Sequence, residues 1–105
     1  MSDLRKRLEQ ISMLDFDDLV VLTLLYEGCS CKFVSTFLKL TPPAISHRLN
    51  KYMDVFGADF FIKQKNHKIL SLTGHEVAQK AKKVLCMFLQ EDDSFMIKAM
   101  NTKAS

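Results

Sequence analysis

The amino-acid sequence predicts a mainly α-helical fold in which a three-helix core precedes a β-hairpin and a last helix. Apolar residues recur at helical spacing in four segments, and the period changes to that of strands only once, after Gly57. With only 3 Gly and 2 Pro, an all-β fold built on many tight turns is disfavoured. A chain of 105 residues is long enough for one small domain.

The first two core helices are predicted over residues 16–27 and 31–38. Three aspartates between positions 15 and 18 suit the positive end of the first helix, and Gly28 ends it. This helix is apolar around most of its circumference, so we expect it to be buried on most sides. Ser30 is the predicted N-cap of the second helix. Residues 1–13 are charged and weakly helical, and we treat them as an N-terminal extension.

The third helix is predicted from Pro42 to about Phe56, after a short turn at residues 39–40. Thr41 is the predicted N-cap, Pro42 occupies the first helical position, and Gly57 is the expected stop. Its buried stripe is expected to contain Ile45, Leu49, Tyr52 or Met53, and Phe56.

Two short strands, residues 60–63 and 68–72, are predicted to form a hairpin around a polar turn. Thr73 and Glu76 have the spacing of a capping box that would open the last helix, which continues to about Leu89. The order of elements is that of a winged helix-turn-helix with a C-terminal linker helix.

The predicted winged helix-turn-helix domain covers residues 14–89, and residues 90–105 form a C-terminal tail. The first residues lack the apolar core of a signal peptide, and the longest apolar run is too short to cross a bilayer. Three cysteines do not suggest a disulfide framework. We therefore expect a cytoplasmic protein.

The third helix keeps a polar outer face once its buried stripe is set aside. Ser and Asn side chains can pair with base edges in the major groove, whereas Arg48 and Lys51 on the flanks are expected to reach phosphates. The candidate base-reading residues on this face are Pro43, Ser46, His47 and Asn50. An ordinary solvated helix face is the alternative.

The predicted hairpin is basic, with Lys63, Lys65, His67 and Lys68 within six residues. Residues 41–85 carry 8 Lys or Arg against 3 Asp or Glu, whereas the two flanking segments are each slightly acidic. A basic wing beside a polar helix suits the phosphate backbone of a DNA duplex. A charged loop that only maintains solubility is the alternative.

Residues from about 14 to 89 resemble the N-terminal DNA-binding domain of LysR-type transcriptional regulators. The densest part is Leu40–Leu49 (LTPPAISHRL), which is similar to the family's VSQPAVSRQI. The resemblance continues through residues 51–57 (KYMDVFG), 60–63 (FFIK) and the Leu-Thr pair at 72–73. It implies a bacterial, nucleoid-associated transcription regulator that binds double-stranded DNA as a homodimer.

The same resemblance assigns further residues. Thr41 would stand at the DNA-facing start of the recognition helix, and Lys32 would lie near the DNA backbone. The last helix resembles the family's linker helix, which pairs antiparallel across a dimer. Its candidate interface is Val77, Ala81, Val84, Leu85 and Phe88. Docking of this helix onto its own core is the competing use.

The chain departs from the family pattern in three ways. Pro42 replaces a base-reading Gln, and His47 replaces an Arg, so a permanent charge becomes a titratable one. The resemblance includes no part of the family's effector-binding domain, so no co-inducer site and no cofactor are expected. The tail carries an apolar cluster of Phe95, Met96, Ile97 and Met100. A second regulator or RNA polymerase is therefore a further expected partner.

Other functions are weaker fits. Cys29 and Cys31, even with Cys86 and the three histidines, have no standard zinc-ligand spacing, and nothing predicts a reactive thiol. No phosphate-binding loop or catalytic set predicts an enzyme. The main alternative is a protein-interaction module that heterodimerises with or antagonises a full-length regulator. The chain could also be an excised piece of a larger regulator.

Overall fold

The computed structural model describes residues 2–92, and this part of the chain contains five α-helices and a two-stranded antiparallel sheet. The helices are α1 (Ser2–Ile11), α2 (Phe16–Tyr26), α3 (Cys31–Leu38), α4 (Pro42–Phe56) and α5 (Leu72–Leu89), the strands are β1 (Phe61–Gln64) and β2 (His67–Leu70), and a 3₁₀ turn covers Ala58–Phe60. The predicted mainly α-helical class is confirmed. The apolar cluster predicted in the tail lies outside the described residues.

The predicted caps of the middle helices are confirmed. The Ser30 side chain accepts a hydrogen bond from the Phe33 amide at 3.1 Å, and Thr41 Oγ1 accepts one from the Ala44 amide at 3.3 Å. Gly57 follows α4 with a φ of 120°, a backbone conformation that other residues rarely adopt. Local side-chain chemistry therefore decides where α3 and α4 begin and where α4 ends.

The hairpin is shifted from its predicted position. The turn contains only Lys65 and Asn66, with φ values of 50° and 69°, which is the conformation of a type I′ turn. The predicted four-residue turn was therefore too long, and Phe60 lies in the 3₁₀ turn rather than in the first strand. Phe61 pairs with Leu70, and both side chains are buried.

The predicted capping box at the start of α5 is wrong. The N-cap is Ser71, whose hydroxyl oxygen accepts a hydrogen bond from the Gly74 amide at 3.1 Å. Ser71 also donates to the Phe60 carbonyl through both its hydroxyl (2.9 Å) and its amide (3.0 Å). This attachment to the 3₁₀ turn ends β2 and places the N-cap of α5 at Ser71, two residues before the predicted Thr73.

Helix α5 packs against α2 of the same chain. Ala81 and Leu85, two of the five residues predicted for a dimer interface, are buried in this core, and Val77 is half-buried against it. An ion pair between Lys82 and Glu27 also joins the two helices. These residues therefore show the competing use, docking of α5 onto the chain's own core, because α2 is apolar enough to need α5 as a cover. Their part in a dimer interface stays a prediction. Only Val84 and Phe88 of the predicted set remain exposed.

One buried charge connects α2 to α4. The Asp18 side chain is fully buried, and its carboxylate accepts hydrogen bonds from Arg48 Nη1 (2.7 Å), Lys51 Nζ (2.6 Å), Tyr52 Oη (2.6 Å) and the Asp15 amide (2.9 Å). Burial alone would raise the pKa of Asp18, but these hydrogen bonds together lower it to about 2. The carboxylate therefore stays ionised in the folded protein.

Replacing Asp18 with Asn is expected to lower the free energy of unfolding by about 3 kcal/mol, because Arg48 and Lys51 lose the charge that compensates them. Urea denaturation followed by circular dichroism measures the change. Asp17→Asn is the matched control, since that side chain is exposed and lies 3.8 Å from Arg48. An equal loss for the two variants would contradict the central role of Asp18.

The same contact predicts a pH dependence. The pKa of Asp18 falls from 3.8 to about 2 on folding, so its stabilising contribution is present above pH 4 and is lost as the pH falls towards 2. The stability difference between wild type and Asp18→Asn should therefore narrow by about 2 kcal/mol over this range. Urea denaturation at pH 5, 3 and 2 measures it, and a constant difference would rule out this ionisation as the cause.

Candidate nucleic-acid interface

The predicted base-reading residues all lie on the exposed side of α4. Ser46, His47 and Asn50 are exposed along one face, since positions three and four apart lie on the same side of a helix. Pro43 extends this face towards the N-terminus, where Thr41 uses its hydroxyl to cap the helix. The opposite face, with Ile45, Leu49 and Tyr52, is buried. The core contact of α4 therefore fixes which side chains can reach a partner.

The two cations predicted to contact phosphates from α4 have another role. Arg48 and Lys51 both bind the buried carboxylate of Asp18, and their side chains are only 16% and 17% exposed. Arg48 Nη1 also lies 3.0 Å from Asp15 Oδ1. Burial alone would lower the pKa of Arg48, but the carboxylates of Asp18 and Asp15 outweigh burial and raise that pKa above its usual value. Both side chains are thus engaged in an internal ion pair, and their role as phosphate contacts stays a prediction.

A cleft of about 570 Å³ lies between α3, the first half of α4 and the hairpin turn. Lys32 from α3, Ser46 from α4, and Asn66, His67 and Lys68 from the hairpin line it. The fold thus brings together one predicted base-reading residue and two predicted backbone-contacting lysines. Within residues 2–92, no carboxylate side chain contributes to its lining.

A second cleft, of about 640 Å³, is lined by both strands of the hairpin, by the segment that leads into α3 and by His75 of α5. Lys32 and Lys68 line it as well, and Lys65, His67 and His75 add further basic groups above an apolar floor. Again no Asp or Glu of the described chain lines it. The two clefts share Cys31, Lys32, His67 and Lys68, so both lysines border both clefts, which together are called the basic surface here.

The cysteines beside the second cleft are not activated. Burial raises the pKa of both the Cys29 and the Cys31 thiol, and nearby Lys68 opposes the shift for Cys31 only in part. No group of three His, Cys, Asp or Glu side chains within residues 2–92 could hold a metal ion. Likewise, no helix in that range is both long and apolar enough to cross a membrane.

The hairpin carries two lysines directly opposite each other. Lys63 pairs with Lys68 in the antiparallel register, and both side chains are exposed. Like charges at directly opposed positions destabilise a strand pair. The pair of opposed lysines does not stabilise the fold. A bound anion would relieve the repulsion between them. Lys63 is not part of the lining of either cleft.

No protein family, curated protein or solved structure matches this chain. The resemblance to LysR-type regulators therefore remains a prediction from the residues that carry it.

The sequence analysis missed Asp18 as the partner of Arg48 and Lys51. The one signal for Asp18 in the sequence was its position three residues after Asp15, which is the spacing of a capping box. In the structure, each of these two side chains accepts a hydrogen bond from the backbone amide of the other at 2.9 Å. That spacing places Asp18 in the first turn of a helix expected to be buried on most sides. The pairing across 30 residues or more has no local signature.

A lysine that binds the buried carboxylate and an exposed lysine of the hairpin should differ in their effect on the free energy of unfolding. Lys51→Gln is expected to lower the free energy of unfolding by about 2 kcal/mol, because it leaves Asp18 with a weaker partner in a buried site. Lys63→Gln should change it by less than about 0.5 kcal/mol, or stabilise slightly, because it removes a like-charge pair. Urea denaturation of both variants tests this assignment, and a Lys63 variant that loses more stability than the Lys51 variant would refute it.

Proposed function

We propose that this protein is a sequence-specific, double-stranded DNA-binding transcriptional regulator of the winged helix-turn-helix type. The observation that carries the proposal is the basic surface, to whose lining no Asp or Glu of residues 2–92 contributes, and where Lys32 and Lys68 lie beside Ser46 of α4. In this reading α4 is the recognition helix and the β1–β2 hairpin is the wing. The resemblance to the DNA-binding domain of LysR-type regulators supports the same function.

The distribution of charge supports a polyanion as the partner. The basic residues of α4 and the acidic start of α2 neutralise each other, as do Lys82 of α5 and Glu27. Lys80 and Lys83 are exposed on α5, while the exposed lysines on α3 and the hairpin, which form no ion pair within residues 2–92, are Lys32, Lys63, Lys65 and Lys68. Phosphates along a duplex are the ligand that such a row of lysines suits.

The exposed face of α4 would read the bases. Ser46 and Asn50 can donate and accept hydrogen bonds, and Asn can pair with two groups of an adenine in the major groove. His47, on the same exposed face, would add a further contact. Few base contacts are available, since Pro42 offers no hydrogen bond from its side chain, so DNA shape would contribute much of the specificity.

A regulator of this kind would act as a homodimer, because two half-sites multiply the contacts of a small reading surface. The exposed Val84 and Phe88 of α5 are the part of the predicted interface that remains available. A second DNA-bound regulator or RNA polymerase would be a further partner in this scheme.

Fluorescence anisotropy with labelled duplex DNA tests the backbone contacts. Lys32→Gln and Lys68→Gln should each weaken binding to every sequence and lower the salt slope by about 0.9 for each lost phosphate contact. Lys80→Gln is the matched control, because this exposed lysine of α5 lies outside both clefts. Equal salt slopes for all three variants would contradict the proposed surface.

Base reading requires a different comparison. A duplex selected from a random pool and a scrambled duplex are titrated with the wild type, Ser46→Ala and Asn50→Ala. Loss of a base contact should cost about 1–3 kcal/mol on the selected duplex and little on the scrambled one. If both duplexes lose affinity equally, or if selection enriches no sequence, α4 is not the reading helix.

A further inference from the structure

Helix α1 presents an apolar face that the rest of residues 2–92 does not cover. Leu4, Leu8 and Ile11 are 56%, 57% and 52% exposed, and their spacing places them on one side of the helix. Met13 and Phe16 continue the exposed patch towards α2 at 55% and 51%. None of these five side chains belongs to the core or packs against it. Exposed apolar residues that are grouped on one helix face, unlike single scattered ones, are typical of an interaction surface.

Helix α5 carries a second patch on the side away from α2. Val84, Met87 and Phe88 are 39%, 77% and 71% exposed and again lie three and four positions apart. One chain therefore has two helices that each leave an apolar face in solvent. The α1 face extends over about two turns and the α5 patch over just over one turn.

We propose that two copies of this chain associate by placing α1 of each copy on the outer face of α5 of the other. A twofold axis makes this contact twice, so both patches are covered in both copies. The contact differs from pairing of α5 with itself, because α1 supplies half of it. It uses the same Val84 and Phe88 as the homodimer of the proposed function, but it does not depend on DNA binding, so its failure would leave the proposed DNA-binding surface unaffected.

Charges beside the two patches fit one direction of α1. Arg5 and Arg7 are near its N-terminal end, and Glu91 follows the C-terminus of α5, whereas Lys80 and Lys83 precede the α5 patch. An antiparallel arrangement brings the arginines towards Glu91 and keeps them away from the lysines. It also places cations at the negative end of the α5 dipole.

The connection between α1 and α2 favours a second copy over the chain's own α5. The amides of Ser12 and Leu14 donate hydrogen bonds to the carbonyls of Leu8 and Ile11, at 2.9 Å each. Asp15, which follows, caps α2 and binds Arg48. The link is thus hydrogen-bonded at both ends, and folding α1 back across its own domain would break these contacts.

Sedimentation velocity of the full chain without DNA tests the proposal. The wild type is expected to be a dimer, and Leu8→Glu and Phe88→Glu should each raise the dissociation constant about tenfold or more. Lys6→Glu is the matched control, because Lys6 is two residues from both Leu4 and Leu8 and so lies on the opposite side of α1. The double variant Arg7→Glu, Glu91→Arg should dimerise better than Arg7→Glu alone.

Three results would overturn the proposal. The wild type could be a monomer at every concentration. Phe88→Glu could dissociate the dimer while Leu8→Glu leaves it intact, which would mean that α5 pairs with itself. Phe95→Glu in the tail could dissociate the dimer while Leu8→Glu does not, which would place the tail on α5. Leu8 lies outside the core, so its variant is expected to fold, and circular dichroism verifies this.

Discussion

The arrangement of α2 and α4 depends on the hydrogen bonds and ion pairs that the Asp18 carboxylate forms with α4. This carboxylate is fully buried, and four donors from α2 and α4 use its accepting positions. A buried charge is tolerated only when it is compensated in this way. Arg48 lies one helical turn before Lys51 and Tyr52 on α4, so all three side chains reach Asp18 from the same side of the helix. The contact therefore fixes both the position and the rotation of α4 against α2.

The rotation of α4 decides what the surface can offer. With one flank held by Asp18 and the apolar face in the core, only the side that carries Ser46, His47 and Asn50 remains exposed. Arg48 and Lys51 of α4 bind Asp18, so the cations beside α4 that could attract a negatively charged partner are those on α3 and the hairpin. The hydrogen bond from Ser71 to the Phe60 carbonyl sets the point at which β2 ends. Lys32 and Lys68 both line the cleft beside α4. Structural charges and candidate functional charges are thus separate groups.

Sequence reasoning was most successful where the determinants are local. Ser30, Thr41, Pro42 and Gly57 act within a few residues, so the bounds of α3 and α4 were predicted as they are observed. Thr73 was chosen as a cap because its spacing to Glu76 is a good local pattern. A contact from Ser71 to the distant Phe60 carbonyl overrode it.

The features of the candidate site that the sequence did not predict also come from contacts between distant segments. Arg48 and Lys51 look like solvent-exposed cations when α4 is considered alone, and only the approach of α2 shows their partner. Ala81 and Leu85 lie at spacings that suit either a dimer or the chain's own core, and in the structure they are buried in that core. The exposed residues Lys32, Ser46 and Lys68 were correctly expected to be at the surface, because nothing distant competes for them.

The most direct test is to map the duplex-binding surface by two-dimensional NMR of the ¹⁵N-labelled chain. Titration with a short DNA duplex is predicted to shift amides around Lys32, along the first half of α4 and in the hairpin, and to leave those of α1 and the second half of α5 in place. Shifts confined to α1 and α5, or no shifts at low salt, would contradict the account.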